Sequence, residues 1–129
     1  MKILKISAPL ILAATVLAAC AGNAVQSAGP ARVSEGVLTG ANGMTLYTFD
    51  KDPEGSGKSV CNGPCATNWP PLLVAAEQAA APGYSVVMSD DGGKQWAYKG
   101  RPLYFWVKDQ KPGDRTGDGF NGVWRVAKP

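Results

Sequence analysis

Two cysteines four positions apart, Cys61 and Cys65 in the segment Cys-Asn-Gly-Pro-Cys, are the residues of this chain best suited to chemistry. In an oxidising compartment, such a pair usually closes a disulfide. If they stay reduced, the thiolates are soft ligands that suit copper(I), or they exchange with other disulfides. The choice between a structural staple and thiol or copper(I) chemistry therefore depends on where the protein resides.

The chain contains no histidine. This removes the usual general base near neutral pH, the zinc sites that contain histidine, and the catalytic triads that depend on it. The cysteine spacing is similar to that of some periplasmic copper-delivery proteins, but those proteins add a distant histidine. Here only Met44 or Met88 offers a further soft ligand. We therefore expect a structural Cys61–Cys65 disulfide, no cofactor and no enzymatic activity, with thiol redox or copper(I) binding as the alternative.

The start of the chain predicts export. Lys2 and Lys5 precede a charge-free apolar stretch from Ile6 to Ala19, and small residues lead into Cys20. This is the pattern of a secretory signal peptide, which we assign to residues 1–19. The apolar stretch has 14 residues, whereas a transmembrane helix needs about 20.

The junction Leu17-Ala18-Ala19-Cys20 resembles the bacterial lipobox. The resemblance implies that diacylglycerol is attached to the Cys20 thiol, that the leader is removed just before it, and that further acylation, as with palmitate, holds the protein on a lipid bilayer. Ala21 follows the cysteine in place of an aspartate, which favours the outer membrane over the inner one in a Gram-negative organism. Residues 20–31 are then the lipidated cysteine and a flexible tether.

The composition of the mature part limits its partners. Without residues 1–19 the chain keeps 11 basic and 10 acidic residues, a net charge of +1. Such a chain has no basic stretch with which to neutralise phosphates, so we expect no nucleic-acid binding. Residues 32–129 are enough for one domain with one hydrophobic core.

Two stretches of this domain repeat each other. Residues 43–52 and 100–109 align at an offset of 57, with Gly, Leu, Tyr, an aromatic residue, Lys and Asp in common. Each copy continues into a Gly-rich loop and then reaches a tryptophan. The alignment predicts an internal duplication, with repeat 1 at about residues 33–74 and repeat 2 at about 84–127.

Alternation of side chains between two faces predicts a strand over 46–49. The segment 103–107 is apolar at every position, which fits a strand covered on both faces, with a buried helix as the alternative. Further predicted elements are strands over 33–39 and 84–88, a hairpin that turns at Gly100, and one short helix over 72–81. We expect a mainly β fold, a compact antiparallel domain of about seven short strands from two internal repeats with pseudo-twofold symmetry.

The repeats carry the motif Tyr-x-(Phe/Trp/Tyr)-x-x-Asp. Its residues are Tyr47, Phe49 and Asp52 in repeat 1, and Tyr104, Trp106 and Asp109 in repeat 2. In this motif, and in the loops 61–72 and 117–124, the chain resembles the predicted bacterial lipoproteins built from a "secreted repeat of unknown function". The resemblance implies a fold and a place in the cell envelope. It implies no particular activity, because the family has no common one.

The motif residues allow more than one role. Equivalent aromatic residues of two repeats usually fill equivalent core pockets, although they also suit a stacking platform for sugar rings or a peptide. Asp52 and Asp109 are candidate acceptors for buried tyrosine hydroxyls, or caps of the following turns.

A last group, Asp109, Asp114, Asp118 and Asn121, suits calcium by ligand type but does not fit the EF-hand spacing.

From the signal peptide, the lipobox and the repeats together, we expect a membrane-anchored envelope lipoprotein, a non-enzymatic binding or structural module. Its partner is expected to be an unidentified envelope protein or glycan.

The lipobox generates the first testable prediction. Replacement Cys20→Ala removes the thiol that accepts diacylglycerol, so we expect metabolic labelling with a palmitate analogue to be lost. Cys61→Ala, which keeps Cys20, should label like the wild type. Undiminished label in the Cys20 variant would contradict the assignment of this cysteine as the anchor.

Overall fold

The computed structural model describes residues 29–75, 78 and 80–129. The predicted signal peptide, Cys20 and most of the tether lie outside the described residues. Among the residues that are described, no helix has the length and apolar character to span a bilayer.

The described chain forms seven short strands and two short helical turns. The elements are β1 (Arg32–Ser34), β2 (Val37–Thr39), β3 (Tyr47–Phe49), α1 (Pro64–Asn68), β4 (Tyr84–Met88), β5 (Lys94–Tyr98), β6 (Arg101–Pro102), a 3₁₀ turn (Phe120–Gly122) and β7 (Trp124–Val126). All strand pairs are antiparallel, in three small sheets ordered β1-β2, β3-β7 and β4-β5-β6. The predicted fold class is confirmed.

The backbone of each repeat's motif segment finds its hydrogen-bond partners at the end of the other repeat. In one half, β7 of repeat 2 pairs with β3 of repeat 1, and Phe49 lies opposite Trp124. In the other half, the Phe105 amide donates to the Pro70 carbonyl at 2.7 Å. Because a strand must satisfy its backbone donors and acceptors on a neighbouring strand, neither repeat has a complete set of partners alone.

The two halves meet at their equivalent tyrosines. The Tyr47 amide donates to the Tyr104 carbonyl at 2.8 Å, and the Tyr104 amide donates to the Tyr47 carbonyl at 3.0 Å. This is the reciprocal hydrogen-bonded pair of an antiparallel ladder. Since the paired residues occupy the same place in their repeats, the pseudo-twofold axis passes between them.

The buried apolar side chains form two clusters. The larger contains the motif aromatic residues together with Val37, Cys61, Trp69, Trp124 and Val126. The second cluster contains Leu38, Leu46, Leu72, Trp96, Leu103 and Ala127. Leu46 and Leu103 precede the two tyrosines, so alternation along the strand sends neighbouring side chains to different clusters.

Three local predictions differ from the structure. The segment 33–39 is a hairpin and not one strand, because the chain turns at Glu35 and Gly36, which have positive φ values of 48° and 79°. This is the left-handed region that a two-residue hairpin turn requires and that glycine adopts without strain. In the segment 103–107, only Tyr104 forms a β-bridge, although backbone hydrogen bonds continue on both sides of it.

The short helix lies at Pro64–Asn68. Proline at the start of this turn fits a helix, since its missing amide would have no intrahelical partner there. In the segment 72–81, where a helix was predicted, residues 72–75, 78 and 80–81 are not helical, and residues 76, 77 and 79 lie outside the described residues. Here the Leu72 amide donates to the Leu103 carbonyl, and the Val74 amide donates to the Lys94 carbonyl. Pairing with repeat 2 thus outweighs the helix propensity of the first part of this segment.

Candidate functional site

The tyrosines and aspartates of the motif form two reciprocal pairs between the repeats. Tyr47 Oη donates to Asp109 Oδ2 at 2.6 Å, and Tyr104 Oη donates to Asp52 Oδ2 at 2.5 Å. Both tyrosines are 0% exposed, and both aspartates are buried. The acceptor for each phenol therefore comes from the other copy of the motif, not from the aspartate five residues further along the same copy.

The second oxygen of each carboxylate holds the loop that follows its own motif. Asp52 Oδ1 accepts the Val60 amide at 2.8 Å. Asp109 Oδ1 accepts the amide and the hydroxyl of Thr116, at 3.0 and 2.6 Å. Each aspartate thus connects its own Gly-rich loop to the tyrosine of the opposite repeat.

The phenolic oxygens also accept hydrogen bonds. The Gly117 amide donates to Tyr47 Oη at 3.3 Å, and the Ser59 hydroxyl lies 2.7 Å from Tyr104 Oη. Because the Tyr104 proton is donated to its carboxylate, the Ser59 hydroxyl is the donor of this second bond. Position 117 requires glycine, because the Cβ of any other residue would lie 2.6 Å from Cη2 of Trp69, which is a steric clash.

Burial sets the protonation of these groups. Desolvation raises the pKa of Tyr47 and Tyr104, and the hydrogen bonds to the carboxylates raise it further. Desolvation also raises the pKa of Asp52, against the opposing effect of the hydrogen bonds from Tyr104 and the Val60 amide. Both phenols therefore stay protonated near neutral pH.

Four aromatic rings from alternating repeats form one continuous stack. Phe49 stacks on Trp124 with centroids 4.3 Å apart, Trp124 on Trp69 at 3.7 Å, and Trp69 on Trp106 at 4.0 Å. The planes of Trp69 and Trp124 differ by only 4°. The order Phe49, Trp124, Trp69, Trp106 is symmetric, because Phe49 and Trp106 hold the same motif position and the two inner indoles end equivalent loops.

The motif tyrosines close the sides of this stack. Tyr47 meets Trp69 edge-to-face at 5.3 Å, and Tyr104 meets Trp124 in the same way at 5.1 Å. Such edge-to-face pairs add to the free energy gained from burying the rings. The motif aromatic residues therefore belong to the core, and they do not form an exposed stacking platform.

The two ends of the stack differ. At the Trp106 end, Phe120 packs on the indole at 4.9 Å and remains 38% exposed, and the neighbouring Val107 is 50% exposed. Lys108 Nζ lies 5.9 Å from the Trp106 ring centroid. We name this open depression the Phe120 surface. It is lined by Trp106, Val107, Lys108, Gln110, Thr116 and Phe120.

The Phe120 surface includes residues outside the predicted motif and disulfide. A sequence signal for it was present, because Phe120 is the one large apolar residue in a Gly- and Asp-rich loop. An aromatic side chain in such a loop must either cover the core or face a partner.

The corresponding loop of repeat 1 carries the disulfide. Cys61 and Cys65 are joined, with their Cα atoms 5.2 Å apart. Cys61 is buried in the aromatic cluster, and Cys65 packs against the same cluster while partly exposed. The bond thus fixes the start of α1 on the core. Met88 lies at the end of β4, where its carbonyl accepts the Ser59 amide.

The acidic residues whose ligand type suits calcium bond to other groups. Asp109 bonds Tyr47 and Thr116, Asp114 Oδ2 accepts the amides of Gln110 and Lys111, and Asp118 Oδ1 accepts the Val126 amide. In the described part of the chain, no three Cys, Asp or Glu side chains come together in a metal-binding arrangement. These aspartates instead order the turns of the loop.

A comparison with known families matches the chain twice. The model of a family described as a secreted repeat of unknown function fits residues 32–73 and again residues 85–128. Together the two matches cover two thirds of the chain. No curated protein and no solved structure matches the chain significantly.

The reciprocal pairs generate a stability prediction. Tyr47→Ala and Tyr104→Ala each remove a buried ring and leave a carboxylate without its phenolic donor. We expect each to lower the free energy of unfolding by about 3 to 5 kcal/mol, the range for buried aromatic truncations. Chemical denaturation of the mature protein followed by tryptophan fluorescence measures this. The control Val33→Ala, at a side chain 62% exposed, should change stability by about 0.5 kcal/mol or less. Wild-type stability in both tyrosine variants would contradict the core role.

Proposed function

The chain belongs to the family described as a secreted repeat of unknown function, and from this premise we propose that it is a lipid-anchored, non-enzymatic binding module of the cell envelope. A secreted family indicates an extracellular or envelope location. The observation that carries the proposal is that the side chains of the family motif stabilise the fold. Its tyrosines and aspartates are buried and bonded to one another, so they are not available to a substrate.

The anchor in this proposal is Cys20, acylated and inserted in the bilayer, with residues 20–31 as a tether. In a Gram-negative organism the membrane is the outer one. Two or more acyl chains make such an anchor stable, whereas a single chain binds reversibly. The domain would then sample a zone close to the membrane, within reach of other envelope proteins and of glycans.

We propose that the Phe120 surface contacts the partner. Phe120 and Val107 expose apolar side chains on this surface, and Lys108 and Gln110 add polar groups to it. Exposed apolar side chains combined with polar ones are typical of recognition surfaces. Trp106, which lines the same surface, is held by its stacking on Trp69, so this part of the surface needs little ordering when a partner binds, which lowers the entropic cost of binding.

In-cell photo-crosslinking tests this proposal. A benzophenone amino acid at Val107 of the anchored protein should give one discrete adduct, and Phe120→Ser should remove that adduct. The matched control is the same probe at Val86, which is 45% exposed but lies on β4. Digestion of the adduct with protease or with a glycan hydrolase identifies the partner class. Equal adducts at both sites, or none at Val107, would contradict a partner surface here.

The alternative function is thiol redox or copper(I) chemistry at Cys61 and Cys65. The partial exposure of Cys65 supports it, since a reductant or a metal carrier needs access to one sulfur. Burial of Cys61 in the aromatic cluster favours the structural role.

The reduction potential separates these two roles. A structural disulfide should have a potential below about −300 mV, whereas an exchanging pair lies at about −120 to −270 mV. We expect the lower value in the purified mature protein, measured by equilibration with redox buffers. Replacing both cysteines with serine should lower stability but keep the Val107 crosslink. A higher potential, or tight copper(I) binding that is lost in the double variant, would favour the alternative.

A further inference from the structure

Three indoles in van der Waals contact form the centre of the core. We call Trp69, Trp106 and Trp124 the tryptophan stack, with successive centroids 4.0 and 3.7 Å apart. Indole is among the most readily oxidised side chains, and its one-electron oxidation product is a radical cation. Direct stacking gives strong electronic contact, so an electron vacancy on one ring is shared with or passed to the next.

Two tyrosines stand at the edge of this stack, each with a proton acceptor. Removing an electron from a phenol makes its hydroxyl proton strongly acidic, so the oxidation is easy only when a base takes the proton. Asp109 and Asp52 accept the hydroxyls at 2.6 and 2.5 Å. We call these the two Tyr–Asp pairs.

The hydrogen bonds show that the carboxylates can act as bases. Both oxygens of Asp52 accept a donor, the phenol on one and the Val60 amide on the other. Asp109 is bonded in the same way, by Tyr47 and Thr116. In both pairs one carboxyl oxygen lies within hydrogen-bond distance of the phenol and is placed to take up its proton.

We propose that the tryptophan stack takes up one oxidising equivalent and passes it to a Tyr–Asp pair, which stores it as a neutral tyrosyl radical. The oxidant is an oxygen-centred inorganic radical that reaches the protein in an oxidising compartment. Trp106 is the point of entry, because it borders the open Phe120 surface while the other two indoles lie further inside.

The transfer balances in two steps. The oxidant gains one electron and becomes its anion, which leaves one indole as a radical cation. One electron then moves from the phenol to this indole, and the phenolic proton moves to the hydrogen-bonded carboxylate. The products are a neutral indole, a neutral tyrosyl radical and a protonated aspartic acid. Each Tyr–Asp pair can store one equivalent.

The remaining tyrosines provide a matched control. The chain has four tyrosines, and Tyr84 and Tyr98 contact each other in the second cluster, with centroids 4.8 Å apart. No carboxylate of the described residues accepts a hydrogen bond from either hydroxyl. The fourth tryptophan, Trp96, donates its Nε1 proton to Gln78 and lies outside the stack.

Pulse radiolysis of the full mature chain in azide solution tests the proposal, because the azide radical oxidises indoles selectively. We expect the tryptophanyl absorption to decay as the tyrosyl absorption rises, at a rate independent of protein concentration. Tyr47→Phe combined with Tyr104→Phe should abolish the tyrosyl signal, whereas Tyr84→Phe combined with Tyr98→Phe should preserve it. Asp52→Asn combined with Asp109→Asn should slow the transfer about tenfold or more, since the proton loses its acceptor.

Two results would overturn the relay: a tyrosyl signal that survives the Tyr47 and Tyr104 replacements, or a tryptophanyl decay that depends on protein concentration. A second measurement needs only the wild-type protein, so it tests the proposal even if the variants do not fold. In the frozen, irradiated protein the tyrosyl electron-spin resonance should be insensitive to a soluble paramagnetic ion, because both paired tyrosines are fully buried. Broadening by that ion would place the radical on an accessible ring and refute the proposal.

Discussion

A buried phenol must donate its hydrogen bond, and in this protein the acceptor always belongs to the other repeat. An unsatisfied buried donor costs about 1 to 3 kcal/mol, so each repeat loses stability if the other is displaced. The same interdependence appears in the backbone, where β7 of repeat 2 is the partner of β3 in repeat 1. The two copies therefore depend on each other, because each supplies strand partners, stacked rings and hydrogen-bond acceptors to the other.

The reciprocal pairs also explain how so short a set of strands is held in place. Long loops follow each motif, and flexible loops lose conformational entropy on folding. Asp52 and Asp109 anchor these loops through the Val60 and Thr116 amides while accepting the phenols. One carboxylate thus fixes a loop with one oxygen and the opposite repeat with the other. This double use explains why aspartate suits the position, since asparagine offers a single acceptor oxygen.

The duplication and the β class could be predicted from the sequence. Which repeat supplies the hydrogen-bond acceptor for each tyrosine could not. The offset of 57 revealed the duplication, alternation over 46–49 indicated the β class, and the strand predicted at 84–88 has the bounds that the structure shows. Neither signal carries information about exchange, because the aspartate of either copy fits the motif equally well. The helix expected over 72–81 is not formed by the described residues at the start of that segment, because Leu72 pairs with Leu103 of the other repeat. Phe120 could not be found by aligning the repeats, because repeat 1 has no aromatic residue in the equivalent loop.

The places where the repeats differ are the best guide to what the domain does. Residues that the two copies share must satisfy the common fold, so their chemistry is constrained by packing and hydrogen bonding. The loops before Trp69 and Trp124 start from equivalent aspartates and end at stacked indoles, yet one closes with the Cys61–Cys65 bond and the other presents Phe120 to solvent. A covalent closure keeps one loop on the core, whereas an exposed ring leaves the other able to meet a partner. A scaffold with twofold symmetry thereby has one face that its second repeat alone provides, and this is the face that we propose contacts the partner.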